Sequence, residues 1–141
     1  MSFSNYTAKA LLNSLFDKTS DFGALASVPD IYVALSSTTP TETGTNVTEP
    51  SGGSYARVAT VAADWNAATN ADPSVVTNAN AIVFPTASAD WVSGADLTHF
   101  ALYDASTSGN YLGFGALSVP KPVLNGDPAE FPASTLSVSL D

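Results

Sequence analysis

After residue 30 the apolar residues of this chain stop recurring every three to four positions and begin to alternate, and that change of period excludes most architectures. In Ile31–Ser36, Ile31, Val33 and Leu35 share one side of an extended strand while Tyr32, Ala34 and Ser36 share the other. The alternation returns in Tyr55–Val61, more weakly in Val75–Thr77, and in the apolar Ala81–Phe84, which Pro85 ends. Leu97–Tyr103 and Tyr111–Leu117 flank Asp104–Asn110, a Ser/Thr/Gly-rich stretch of hairpin-loop type, and the pair is expected as a hairpin at the centre of a sheet. Around Pro122, Lys121–Leu124 fits only a short edge strand, where a missing N–H does no harm. Thr135–Leu140 alternates cleanly, with Leu136, Val138 and Leu140 inward, so the sequence is expected to close inside a strand.

The 3.6-residue period belongs to residues 5–18 alone. Ala8, Leu11, Leu12, Leu15 and Phe16 recur at helical spacing, Ser4 or Asn5 can cap the start, and Lys18 suits the negative end of the helix dipole. The simple reading of this stripe is a helix lying on its own domain. The sharper one is a helix that docks on a neighbouring subunit through Leu12 and Phe16.

About eight short strands, Gly/Pro-rich connections and one leading helix predict an all-β fold: an antiparallel two-sheet β-sandwich of jelly-roll type, preceded by one N-terminal α-helix. An immunoglobulin-like sandwich is the alternative. Neither an internal repeat nor a composition break divides the chain, so one domain over 1–141 is expected, with a helical segment at 1–20 and the sandwich at 28–141. The segment 37–54 strings Thr, Pro, Glu and Gly together without an element, and loops of that length are usually functional or disordered.

Only 12% of the residues are charged, against roughly 25% in an average soluble domain, so Ser, Thr, Asn and Ala cover the surface. Such side chains lose little entropy when ordered, which suits permanent assembly. The net charge of −9 sets 13 acidic residues against Lys9, Lys18, Lys121 and Arg57. Nucleic acid and anionic lipid are therefore poor partners, and a basic protein surface is a good one. There is no cysteine, which excludes disulfides and thiolate metal sites. With neither a signal-like start nor a long apolar run, the chain is expected to be a soluble, unprocessed protein.

Chemistry finds little to work with. The one histidine, His99, lies in a strand pattern on the face of Ala101 and Tyr103, and no nucleophile motif accompanies it. Glu42 and Glu49 stand in the long loop, Glu130 stands between two prolines, and most aspartates have turn contexts, so a glycosidase carboxylate pair has weak support. A sugar-binding groove would need Trp65, Trp91 and tyrosines to converge at the surface. No calcium ladder or phosphate cradle is present, so no catalytic residue, metal or cofactor is expected. Arg57, the single arginine, most simply pairs with Glu49 or a nearby Asp at the loop base; contact with a partner's carboxylate is the alternative.

Three stretches carry a resemblance: Ile31–Ser36, Glu49-Pro50-Ser51-Gly52-Gly53-Ser54-Tyr55-Ala56-Arg57, and Leu97–Leu117 around Thr98-His99-Phe100-Ala101-Leu102-Tyr103-Asp104. Together with Asn5-Tyr6-Thr7, Leu11-Leu12 and the closing Leu136–Asp141, they make the chain resemble small proteins from tailed-phage structural gene clusters, described variously as tail-fibre-like or virion proteins. It is also similar to jelly-roll cement proteins that decorate capsids. The resemblance implies a structural virion protein made in the host cytoplasm and placed on the outer face of the shell. It would bridge copies of the major capsid protein and self-associate as a dimer or trimer, with a tail-associated fibre or adaptor role as the alternative. Leu12, Phe16, Glu42, Glu49, Tyr55 and Arg57 are the expected partner-binding residues.

Overall fold

A computed structural model describes residues 5–16 and 30–140. It is mostly β, antiparallel, with one short helix. In chain order the elements are α1 (Asn5–Leu15), β1 (Ile31–Ser36), β2 (Val58–Thr60), β3 (Ser74–Thr77), β4 (Ile82–Val83), β5 (Leu97–Tyr103), β6 (Tyr111–Lys121), β7 (Glu130–Phe131) and β8 (Ser137–Leu140). Three sheets result: four strands in the order β2-β1-β5-β6, and two ribbons, β3-β8 and β4-β7. The described residues group into two compact units, one from residues 5–16, 60–82 and 131–140, the other from 30–59 and 83–130.

In the first unit α1 lies on β3 and β8. Its apolar stripe buries Leu12 and Phe16, and the Phe16 ring meets Trp65 with centroids 4.3 Å apart. Asn13, also buried, accepts the Ala68 N–H at 2.8 Å, so the helix is keyed by a polar contact as well as by its stripe. The Lys18 expectation lies outside the described residues. β3 pairs with β8 from Ser74↔Leu140 to Thr77↔Ser137, and Val76 and Leu136 fill the space beneath.

The polar centre of this unit is Asn78, with 0% exposure. Its Oδ1 accepts the Leu136 N–H at 2.8 Å. Its Nδ2 reaches the carbonyls of Asn80 at 2.8 Å, Pro132 at 2.8 Å and Phe131 at 3.3 Å. Its backbone N–H donates to Leu136 O, and its carbonyl accepts from Ser134. One amide thus ties together three stretches of irregular backbone that no ladder can satisfy, and an unpaired buried backbone group costs roughly 1–3 kcal/mol.

In the second unit β1 and β5 pair from Tyr32↔Tyr103 to Ser36↔His99, and β5 continues onto β6 through Ala101↔Phe114 and Phe100↔Gly115. One face carries Val33, Leu35, Phe100 and Leu102, all buried. The other carries Tyr32, Ala34, Ala101, Tyr103 and Tyr111. Gly115 is required by closeness: a Cβ there would stand 2.5 Å from Cε1 of Phe100.

The differences from expectation have local causes. β5 is central, but β6 forms an edge and runs on to Lys121, so the hairpin is off-centre. Residues 122–124 form no strand because Pro122 interrupts them. The expected strand 55–61 shortens to Val58–Thr60, since Tyr55 closes a turn onto Gly52 O at 3.0 Å and Val61 is held by Asp64 Oδ2 at 2.9 Å. β7, two residues beside Pro132, gave no readable period.

Asn78→Ala is expected to lower unfolding free energy by about 3 kcal/mol, because the Leu136 N–H and three carbonyls lose their partner. Asn80→Ala, at an exposed site, is expected to cost under about 1 kcal/mol. Urea denaturation of the two variants beside the parent checks this.

Candidate functional site

The second unit carries the polar cluster that organises the long loop. Segment 37–54 is closed on itself. Ser37 N–H donates to Thr48 O and Thr41 N–H to Thr45 O, both at 3.0 Å, and the Thr48 N–H reaches Ser36 Oγ at 3.0 Å. Thr38 Oγ1 donates to Asn46 O at 2.6 Å, and Asn46 Nδ2 to Thr39 O at 2.8 Å. Such side-chain bonds to local backbone are what Thr and Asn supply where no ladder exists. Val47 rests on the Ala34–Ala101–Tyr103 patch. Gly44, at φ +75°, lies so close to Tyr111 that a Cβ would stand 2.8 Å from its Cγ. The loop is therefore seated on the sheet face.

Arg57 fastens it. Its Nε lies 3.1 Å from both Glu49 oxygens, and one terminal nitrogen donates to Glu49 Oε1 at 2.6 Å. The other donates to the carbonyls of Ala105 at 3.0 Å and Ser108 at 2.8 Å, in the loop that joins β5 to β6. The guanidinium carbon stands 3.5 Å from the centroid of Tyr103, a cation–π contact. Arg57 keeps 9% of its side-chain exposure and Glu49 keeps 23%. A planar fork is needed for this combination of carboxylate, two carbonyls and a ring, which a lysine cannot match.

Tyr55 completes the cluster from below: its hydroxyl donates to Glu49 Oε2 at 3.0 Å and accepts the Leu35 N–H at 2.9 Å. Its ring packs edge-on to Trp91 at 5.2 Å and stacks at 6.3 Å with Phe84. Burial lifts the Tyr55 phenol above its ordinary 10.0; the Leu35 N–H opposes that and the Glu49 charge adds to it. Burial and then the Glu49 charge raise Tyr103 in the same way. For Arg57, burial works against the charged form, and the Glu49 hydrogen bond and charge outweigh it, so its pKa rises. In the loop that Arg57 grips, Asp104 accepts the Asn110 N–H at 2.6 Å and its side-chain amide at 2.7 Å, which lowers the Asp104 pKa.

Of the residues singled out from sequence, the fold brings Glu49, Tyr55 and Arg57 into one cluster, turned inward. Glu42 is exposed at the loop tip. Leu12 and Phe16 are buried in the first unit, in line with the simpler reading of the helix. Trp65 and Trp91 keep 2% and 3% exposure, so neither offers a sugar platform. Trp65 donates to Thr60 Oγ1 at 3.0 Å and Trp91 to Gly53 O at 2.9 Å, which satisfies both indoles internally. His99 contacts Thr98 Oγ1 at 2.8 Å through Nδ1. Among the described residues no group of three or more His, Cys, Asp or Glu could hold a metal, and no helix is long and apolar enough to cross a membrane. Sequence reasoning missed Tyr103 under the guanidinium and the two carbonyls; their separations of 48 and 51 residues from Arg57 leave no local signal.

The fold is thus a mostly antiparallel β module whose charged cluster locks its own long loop. Residues 2–139 match the family described as podophage GP4 fiber I protein gp80, and the chain belongs to that family, a family of tailed-phage structural proteins. No curated protein matches the chain. The virion is thus its setting.

Removing one partner of the pair is expected to be costly. Arg57→Ala should lower unfolding free energy by about 2–4 kcal/mol, somewhat under the usual figure for a fully buried pair because Glu49 stays partly wet, and Arg57→Lys should recover less than half of it. With folded-state tyrosine pKa values raised, the unfolded chain loses phenol protons first, so stability is full below pH 10.0 and falls as pH rises beyond it. Tyr55→Phe should flatten that alkaline decline while costing about 1–2 kcal/mol at neutral pH, where Leu35 and Glu49 lose a partner. Denaturation midpoints between pH 7 and 11 measure both effects.

Proposed function

We propose that this protein is a fibre-associated structural subunit of a podophage virion, acting by binding other virion proteins rather than by catalysis. The observation that carries the reading is the family match across residues 2–139, whose description names a fibre protein. The molecule's physics agrees with it. A chain with only 12% charged residues has a surface that loses little side-chain entropy on assembly, and the net charge of −9 favours a basic partner face. The seated loop reduces the ordering cost of docking, because segment 37–54 is already held by its own hydrogen bonds and by Arg57. Exposed Glu42, at the tip of that loop, is the charged residue best placed to meet a partner. Many modest contacts on one particle would act together.

The second reading is a cement protein on the outer face of the shell that bridges major capsid subunits. It draws on the likeness to jelly-roll decoration proteins and on the same pre-ordered surface. The two readings differ in copy number. Quantitative mass spectrometry of purified particles is expected to find from a few to some tens of copies. Hundreds of copies would overturn the fibre reading in favour of the shell.

A further inference from the structure

Asn125 is the one asparagine of this chain that a glycine follows. With no Cβ on Gly126, the glycine nitrogen can approach the side-chain carbonyl carbon of Asn125 and close a succinimide ring. The pair forms the corner of a turn in the second unit. There the Asp127 N–H donates to Leu124 O at 3.0 Å, and Gly126 has φ +89°, the conformation that a type II turn asks of its third residue. Asn125 and Gly126 are both exposed, so water reaches the amide. We infer that Asn125 is a modification site, deamidated by its own backbone, and that the fold holds the reaction back until the turn opens.

In the reaction the Gly126 nitrogen gives its proton to solvent base and attacks Cγ of Asn125. The N–Cγ bond forms as the Cγ–Nδ2 bond breaks, and the leaving nitrogen takes a proton from solvent and departs as ammonia. Water then opens the succinimide at either carbonyl. One opening gives aspartate at 125; the other gives isoaspartate, whose backbone runs through the former side chain and is longer by one carbon. The sum is amide plus water to acid plus ammonia, with nothing oxidised or reduced.

The fold works against each step. The Gly126 N–H donates to Ala87 O at 2.7 Å, which keeps the nucleophile protonated and its N–H engaged. The Asn125 N–H donates to Asp90 Oδ1 at 2.9 Å, and the Leu124 N–H donates to Asp127 Oδ2 at 3.0 Å. Beside the turn, Trp91 N–H donates to Val123 O at 3.0 Å and Ala87 N–H to Asp127 O at 3.1 Å, and Ala87, Trp91 and Val123 are all buried. Freeing the Gly126 nitrogen therefore requires local opening, and the opened state is the one that reacts. Isoaspartate would then set Leu124 and Asp127 one carbon further apart along the backbone, so the bonds of the turn could not all reform. Deamidation thus makes a reversible opening permanent. The inference goes beyond the virion reading and does not depend on where in the particle the protein sits.

Incubation of the purified full chain at mildly alkaline pH, in buffer and in guanidinium chloride, tests it. Peptide mass spectrometry and labelling by an isoaspartyl methyltransferase follow the product. In denaturant the peptide carrying residue 125 should gain the mass of an NH2-to-OH exchange and take up methyl label. In buffer the same conversion should be at least about tenfold slower, because it waits on opening. Asn125→Ala should abolish both signals at this position. Asp90 is exposed, so Asp90→Ala should leave the circular dichroism spectrum near that of the parent. By removing the acceptor of the Asn125 N–H, it should speed conversion several-fold in buffer and leave the rate in denaturant unchanged. Asp90→Asn, which keeps an Oδ1 acceptor, should behave as the parent does. Failure of the denatured chain to convert at residue 125 would overturn the site. Equal rates for the parent in buffer and in denaturant, or a rate in buffer that Asp90→Ala does not raise, would overturn the restraint by the fold.

Discussion

A single guanidinium holds the second unit's irregular chain to its sheet. Arg57 bonds Glu49 at the base of the long loop and two carbonyls of the β5–β6 loop, and it stands over the ring of Tyr103 of β5. Without it, two loops would have to order themselves against a sheet face made largely of Ala and Tyr. That face touches the long loop at Val47 and Gly44. The pair is worth having here because both of its ends are used: the carboxylate is filled by Arg57 and Tyr55, and the fork by four acceptors and a ring. A half-satisfied version would be worse than none, since buried charge without full hydrogen bonding costs several kcal/mol.

The first unit solves the same problem with a neutral group. Asn78 satisfies backbone on three sides, much as Arg57 does, and its burial demands it. Both devices answer one circumstance. Short strands leave a large share of the backbone outside ladders, and a chain with few charged residues has to settle those groups with Thr, Ser and Asn. The consequence for function is a surface set before any partner arrives. Such a surface suits a particle protein whose contacts must form once and persist.

How much of this could be read from the sequence depended on whether the signal was local. Ile31–Ser36 and Leu97–Tyr103 were legible because each is a short run rich in strand-forming residues, although most positions on both of their faces are buried. The extension of β6 to Lys121 was hidden by Pro120, which argues against a strand except at an edge, and an edge is where it lies. The Tyr55–Arg57 alternation misled because those side chains are set by the cluster and not by a pleat. Glu49 and Arg57 could be paired by inventory, the arginine being single and the nearest glutamate eight residues away. Tyr103, Ala105 and Ser108 could not, because tertiary folding alone brings them in. Asn78 was illegible for the same reason: an Asn in a Ser/Asn-rich stretch looks like a turn residue, and only its position beneath residues 131–136 makes it central.

Everything Arg57 does for the second unit requires that segment 37–54 be a seated loop and not a free arm. Hydrogen exchange read residue by residue measures this directly, because the amides of Ser37, Gly44, Thr45 and Thr48 all donate within the fold. The account predicts that these amides are protected in the parent chain and lose protection selectively in Arg57→Ala, while β1 and β5 stay protected. Exchange of all four in the parent at the rate of an unstructured peptide would contradict it.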